Sequence, residues 1–369
     1  MIAPRDEVDA GVAQRAIDAK TKPIGALGRL EDIGVRLSIL QGTLAPRIDK
    51  TRVCVFGADH GVAVEGVSAY PREVTAEMMR NFDRGGAAIN VLAAANAVGI
   101  EVIDVGVDAN LDGLTNITHA KVRRGSRNFL QESAMTESEL DAALEVGVAA
   151  ARRAAHDGVH ALGLGEMGIA NTTAASALLS GLTGECAAVT VGRGTGIGDE
   201  VFARKVSVVD SACVLHAPPT GGHRDPRELL RCLGGLELAA IAGAAIEAAR
   251  LRLAVVADGF ISTVAVFCAA RMVPSMHGDP TKLTRALFFA HRSAERGHAL
   301  VLDQCGALAG CDSRPMLDLG MRLGEGSGAA LAMPVVRSAA AIMREMATFA
   351  SANVSTGENA KSHTGAEST

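Results

Sequence analysis

Six times along this chain a short apolar run stops at polar residues, five of them with glycine at the stop, and most of these stops give way to a helix-forming stretch. The runs are TRVCVFGADHG (51–61), EVIDVGVDAN (101–110), VHALGLGEMG (159–168), CAAVTVGRGTGIGDE (186–200), LAVVADGF (253–260) and RALFFAHRS (285–293). Helical spacing fills AAINVLAAANAV (87–98), TAASALLSGL (173–182) and LELAAIAGAAIEAARLR (236–252). Strands that alternate with helices of this length pair in parallel, because a parallel neighbour is reached only through a long crossover. The expected fold is therefore α/β: a doubly wound, mostly parallel sheet with helices on both faces.

Residues 50–325 are expected to form this large domain. Residues 1–49 carry two helical patterns (VDAGVAQRAIDAKT and RLEDIGVRLSIL) around the turn-like KPIGALG. With 326–354, read as helix broken at Pro334, they are expected to make a small helical domain. The tail 355–369 is polar and rich in Gly, Ser and Thr, the composition of a disordered segment.

Composition excludes several classes. Lys plus Arg number 36 against 41 Asp plus Glu, so there is no basic field for nucleic acid. With no Trp and 3% aromatic residues there is no stacking platform for bases either. The longest apolar runs fall short of the roughly 20 residues of a membrane span, and MIAPRDEVDAGV lacks the basic and apolar regions of a signal peptide. A cytoplasmic protein is expected. The seven cysteines include no CxxC pair and read as small buried hydrophobes.

The polar clusters Asp59-His60, Asp108, Glu166, Arg193, Asp258 and His291 all follow predicted strands. In a parallel sheet they share the carboxyl edge, where open α/β folds bind ligands. GLGEMG (163–168) matches the dinucleotide fingerprint G-x-G-x-x-G, but Glu166 in its turn would repel a pyrophosphate. The same segment suits a monophosphate: glycines admit the backbone, and Asn-Thr-Thr (171–173) can cap the next helix. GRGTGIGDE (192–200) is a second Gly-rich loop, with Lys205 two turns beyond it. His60, His216, His223, His291 and His298 show no metal-ligand spacing. Glu166 (GEM) and Glu325 (GEG) stand in glycine-flanked apolar surroundings that raise a carboxylate's pKa. Each reads equally as a general base or as an acceptor for backbone amides.

KPIGALGRLE (22–31), ADHGV (58–62), EGVSAYPREVT (65–75), NFDRGGAAINVLA (81–93), GEMGIANTT (165–173), GRGTG (192–196), GGLELAAIAGA (234–244), DGF (258–260) and LDLGMRLGEGSGAA (317–330) occur in this order. Together they resemble the nicotinate-nucleotide–dimethylbenzimidazole phosphoribosyltransferases over essentially the whole chain except its C-terminal tail. The resemblance implies transfer of 5-phosphoribosyl from nicotinate mononucleotide to 5,6-dimethylbenzimidazole, with inversion at C1′, for the lower-ligand nucleotide of cobalamin. It implies Glu325 as general base, assisted by Glu166. It places Gly168, Gly194 and Lys205 at the 5′-phosphate, with Asn171 and Thr172 beside them. Ser68, Tyr70, Met167 and Leu323 become candidates for the acceptor pocket.

Glu77 departs from the family's Gln in V-T-x-Q-M and bears on acceptor choice. KPIGALG stands where Pro-Gly-Ser is commoner. The resemblance further implies a homodimer, with neither metal nor bound cofactor. The rival readings are a nicotinamide-dinucleotide oxidoreductase using GLGEMG and a non-catalytic homologue that only binds a nucleotide base.

Overall fold

The computed structural model describes residues 8–194, 196–217, 225–276 and 278–355. The chain divides into two compact units, Lys50–Met333 and the combined segments Met1–Asp49 and Pro334–Thr369.

The larger unit is built on one sheet whose strands all run parallel: β1 (Thr51–Ala58), β2 (Gly99–Gly106), β3 (Ile117–His119), β4 (Ala161–Met167), β5 (Ala254–Ala257) and β6 (Leu287–Phe289). Their order is β3-β2-β1-β4-β5-β6. The chain builds outward from β1 to β3, then returns to the other side of β1 and builds outward to β6. The order therefore reverses between β1 and β4, which opens a crevice at their carboxyl ends. β1 and β4 are buried along nearly their whole length, as strands covered on both faces must be. The edge strands β3 and β6 have three residues each, too short to template pairing with another chain.

The crossovers are helical, as parallel pairing demands. Helices Glu73–Asp83 and Ala88–Ala95 lie between β1 and β2, Glu137–His156 before β4, and Leu236–Arg250 before β5. The Ala-rich composition shows its use in the last two. A Cβ on Gly147 would stand 1.8 Å from the Ala240 carbonyl oxygen, so these helices touch backbone to backbone.

Three expectations are corrected. The run at 186–200 is not a strand. Ala187–Thr190 forms a single helical turn, pinned to helix Asn171–Thr183 by Ser180 Oγ on Thr190 Oγ1 (2.7 Å) and by Ser176 Oγ donating to the Thr190 carbonyl (3.1 Å). Arg193 thus follows a helical turn, not a strand. Strand β3 went unread, since Ile-Thr-His carries no alternation to detect. Pro334 does not break its helix, which runs Ser327–Glu345. The lost N–H is one hydrogen bond, while Ala332, Met333, Val336, Ala339, Ala340 and Met343 of that helix are buried.

In the smaller unit helices Ala10–Asp18 and Arg29–Gln41 pack Ala13, Ile17 and Val35 against Met343. The KPIGALG turn is held by a buried ion pair, Lys22 to Glu31 at 2.9 Å, and Glu31 also accepts from the Leu27 amide at 2.8 Å. The tail expected to be disordered lies, Ser355 apart, outside the described residues.

Candidate active site

At the β1/β4 crevice the chain after β4 must turn sharply upward. Gly168 permits this, because a Cβ there would stand 2.3 Å from the Ala58 carbonyl oxygen at the end of β1. The His60 ring lies against the same glycine and is held by Glu237, Nε2 to Oε1 at 2.8 Å, with both side chains fully buried. Thr75 of helix Glu73–Asp83 accepts the Ile169 amide at 3.1 Å and ties that helix to the turn.

Helix Asn171–Thr183 then starts without a side-chain cap. Its N-cap is Ala170, in the left-handed region at φ +73°. The expected Asn-Thr-Thr cap is therefore corrected. Asn171 turns back and donates Nδ2 to Glu166 Oε2, and Thr172 Oγ1 accepts from Lys205 Nζ at 2.8 Å. An uncapped helix N-terminus beside an ammonium group suits an anion.

Lys205 comes from helix Asp199–Leu215 and is 1% exposed. Desolvation lowers its pKa to about 8, against an opposing pull from the Glu295 carboxylate. Its second acceptor is the Gly192 carbonyl at 3.3 Å, which leaves one of three N–H donors to offer. Gly194 lies directly over it; a Cβ there would be 3.7 Å from Nζ and 3.3 Å from Thr172 Oγ1.

Glu166 is not in a loop at all. It is the penultimate residue of β4, and it is buried. Burial first, then the carboxylates of Asp258 and Glu237, push its pKa up to about 8 against the opposing Asn171 hydrogen bond. The segment holding Glu325 crosses β4 at this level. Gly324, Glu325 and Gly326 all take positive φ (+85°, +62° and +80°), and the Glu325 amide donates to the Glu166 carbonyl at 3.2 Å. A Cβ on Gly165 would stand 2.6 Å from the Gly326 nitrogen, and one on Gly163 would be 2.8 Å from Val53 and 3.1 Å from Ala329. Those two glycines admit the Glu325 segment; they lie inside a strand, not in a turn that could cradle pyrophosphate. The expectation that Glu166 sits in a turn is thereby corrected.

The Glu325 carboxylate is buried, and burial raises its pKa. The Ile89 amide, near the start of helix Ala88–Ala95, opposes that rise at 3.4 Å, and Asp258 adds to it.

One cavity collects Glu166, Met167, Gly168, Asn171, Thr172, Gly194 and Leu323 from among the sequence candidates. Glu325 and Lys205 adjoin it through Glu166 and Thr172. Ser68, Tyr70 and Glu77 do not line it. Tyr70 is half exposed and Glu77 exposed on helix Glu73–Asp83, while Ser68 Oγ accepts the Tyr70 amide at 3.2 Å.

The cavity also holds groups to which the sequence assigned no role: Asp258, His291, Ser293, Glu295 and Arg322. The first two stood at predicted strand ends, which was the available signal. A second cavity of about 490 Å³ continues from the first through Gly194, Glu295 and Arg322. Arg322 donates to the Gly194 carbonyl and so links the Glu325 segment to the Gly-rich loop.

The histidines do not gather. His60 pairs with Glu237, His216 with the Phe129 carbonyl and His298 with Thr263. His291 stands 6.4 Å from His298 between ring centroids, and His223 lies outside the described residues.

Fold and site together define an α/β protein whose switch point carries an uncapped helix N-terminus and a buried lysine beside two buried carboxylates. A sequence profile of the family described as Phosphoribosyltransferase matches residues 2–354. The nicotinate-nucleotide–dimethylbenzimidazole phosphoribosyltransferase of Cupriavidus necator is 46% identical over 96% of this chain and 98% of its own length. That of Chloroflexus aggregans is 46% identical over 96% of each. The crystal structure of CobT from Thermus thermophilus superposes with a TM-score of 0.87 at 44% identity, covering 94% of this chain and 99% of that one. The chain belongs to the nicotinate-nucleotide–dimethylbenzimidazole phosphoribosyltransferase family. Among the described residues no helix is long and apolar enough to cross a membrane.

Proposed function

We propose that this enzyme transfers 5-phosphoribosyl from nicotinate mononucleotide to 5,6-dimethylbenzimidazole in cobalamin synthesis, releasing nicotinate and α-ribazole 5′-phosphate. The 5′-phosphate is received by Lys205, Thr172, the amides near Gly168 and Gly194, and the open helix N-terminus at Asn171. One benzimidazole nitrogen attacks C1′ from the face opposite the nicotinate, which inverts that centre. The C1′–N bond breaks, and its electron pair returns to the pyridine nitrogen and cancels the ring's positive charge. The leaving group therefore needs no acid. The acceptor's other nitrogen must lose its proton, and the Glu325 carboxylate takes it.

The observation that carries this reading is the state of Glu325, a buried carboxylate with a raised pKa, fixed by two left-handed glycines. Burial raises the basicity of a carboxylate, and an amide at 3.4 Å still favours its charged form. Glu166, with its pKa near 8, is protonated at neutral pH and acts by hydrogen bonding in the site rather than as first base. Met167 and Leu323 border the acceptor. The same reading carries a homodimer, to be checked by light scattering for twice the 37.8 kDa chain mass.

The test is product analysis by chromatography and mass spectrometry with nicotinate mononucleotide and dimethylbenzimidazole. Wild type should form α-ribazole phosphate, and Glu325→Gln should be slower by about 10²–10⁴-fold. Equal rates would remove Glu325 as base and make Glu166 the candidate. Nucleotide binding without any product would favour a non-catalytic homologue.

A further inference from the structure

Two buried polar atoms of the cavity wall, Glu295 Oε2 and His291 Nδ1, have no hydrogen-bond partner among the described residues. Their residues are 8% and 2% exposed. Leaving such groups unpaired is costly, so each calls for a partner that enters the cavity. Glu295 lines both cavities, and Oε2 fills the space beside Gly192, where a Cβ would stand 1.9 Å away.

The two residues line one cavity together with Thr172, Gly194 and Glu166. Glu295 acts electrostatically on Lys205, at the anion end. His291 acts on Asp258, which in turn raises the pKa of Glu166 and Glu325, at the carboxylate end. The segment is held still, since His298 Nδ1 accepts the Ser293 amide at 2.8 Å and burial keeps that ring neutral, its pKa lowered to about 3. A phosphate would be repelled by Glu295. A carboxylate that only accepts needs donors, and the part of a nucleotide lying between phosphate and base offers them as hydroxyls.

Building on the transfer reading above, we propose that Glu295 and His291 hold the ribose 2′,3′-diol of the nucleotide donor and make the site selective against deoxyribose. The imidazole can meet a hydroxyl as donor or acceptor, so the assignment holds for either tautomer.

The test measures binding by titration calorimetry, and turnover with dimethylbenzimidazole, for nicotinate mononucleotide and its 2′-deoxy and 3′-deoxy analogues. Wild type, Glu295→Gln, Glu295→Asp and His291→Asn are compared. Wild type should prefer the ribonucleotide over at least one analogue by about tenfold to a hundredfold, the range of a hydrogen bond to a charged group. In Glu295→Gln that ratio should fall to about threefold or less, as the analogue has no hydroxyl there to lose. His291→Asn should narrow the ratio at the same or the other hydroxyl, and Glu295→Asp should restore part of it.

A wild type indifferent to both deletions overturns the proposal. So do variants that weaken all three nucleotides alike, which is the mark of a merely structural role. Binding needs no acceptor, so the two readings fail separately. Ribose preference without product sinks the transfer reading and leaves the diol assignment standing, whereas no binding of nicotinate mononucleotide sinks the diol assignment as well.

Discussion

Replacing Glu166 with glutamine should make the protein more stable, and increasingly so as pH rises. The carboxyl has an ordinary pKa of 4.5 in the unfolded chain and about 8 in the folded one. A folded-state pKa raised above the unfolded value gives a contribution fully present below pH 4.5 and lost as pH climbs through 8. Each unit of difference corresponds to about 1.4 kcal/mol, so the full window bounds the loss at about 5 kcal/mol. Protein interiors respond to a charge more softly than a dry medium, so roughly half that is expected to be realised. Glutamine is nearly isosteric and cannot ionise. Glu166→Gln should therefore melt within about 2 °C of wild type at pH 5 and roughly 5–10 °C above it at pH 8, given about 2–4 °C per kcal/mol for a sizeable domain. Differential scanning calorimetry of both proteins from pH 5 to 8 reads this directly. Lys205 stays protonated in both over most of the window and cancels in the difference. A melting difference that is flat with pH, or that favours wild type at pH 8, would refute the claim that burial and neighbouring carboxylates govern Glu166.

Three further outcomes follow from the geometry. Lys205 loses its proton as pH passes about 8, so nicotinate mononucleotide affinity should fall above that pH; in Lys205→Met, titration calorimetry should find binding weaker and this pH dependence gone. Gly165→Ala puts a Cβ 2.6–2.7 Å from the backbone of Glu325 and Gly326, which cannot yield cheaply. It should lose about 1–3 kcal/mol in urea unfolding and lower kcat more than it changes KM. Arg322→Ala removes a charged donor from the Gly194 carbonyl; steady-state kinetics should show KM for the nucleotide raised about tenfold to a hundredfold, with the pH dependence of kcat unchanged.

The sheet was legible because β1, β2, β4 and β5 sit in apolar runs that end at glycine and polar residues, and β6 in one that ends at His291-Arg292-Ser293. The helices were legible because their apolar spacing is regular. What escaped depends on contacts the local pattern does not encode. Cys-Ala-Ala-Val-Thr-Val reads as a strand until Ser176 and Ser180 claim Thr190 from the neighbouring helix. Of the site, the Gly-rich segments and the two glutamates were visible, since each breaks its local pattern. Ser293, Glu295 and Arg322 were not, because nothing near them in sequence announces that they meet Glu166 and Gly194. The fingerprint at 163–168 is a different case. Its glycines are real requirements, but what they admit is the chain's own segment at 324–329 and not a ligand.

That segment explains why a glutamate stands between two glycines. Three successive residues in the left-handed region reverse the chain over β4, and only glycine adopts that conformation without penalty. A non-glycine residue there costs about 1–2 kcal/mol, and burying a carboxylate adds to it. Glycine at 325 would thus fold more easily than glutamate does. The surrounding structure holds Glu325 in place through the Glu166 carbonyl and the Ile89 amide, and through the contact of Gly326 with Val53. Strain that is over-determined by its neighbours marks a position kept for its chemistry. Under the transfer proposed above, a carboxylate raised in basicity by burial and held by a rigid reversal would take the acceptor's proton without reorganising.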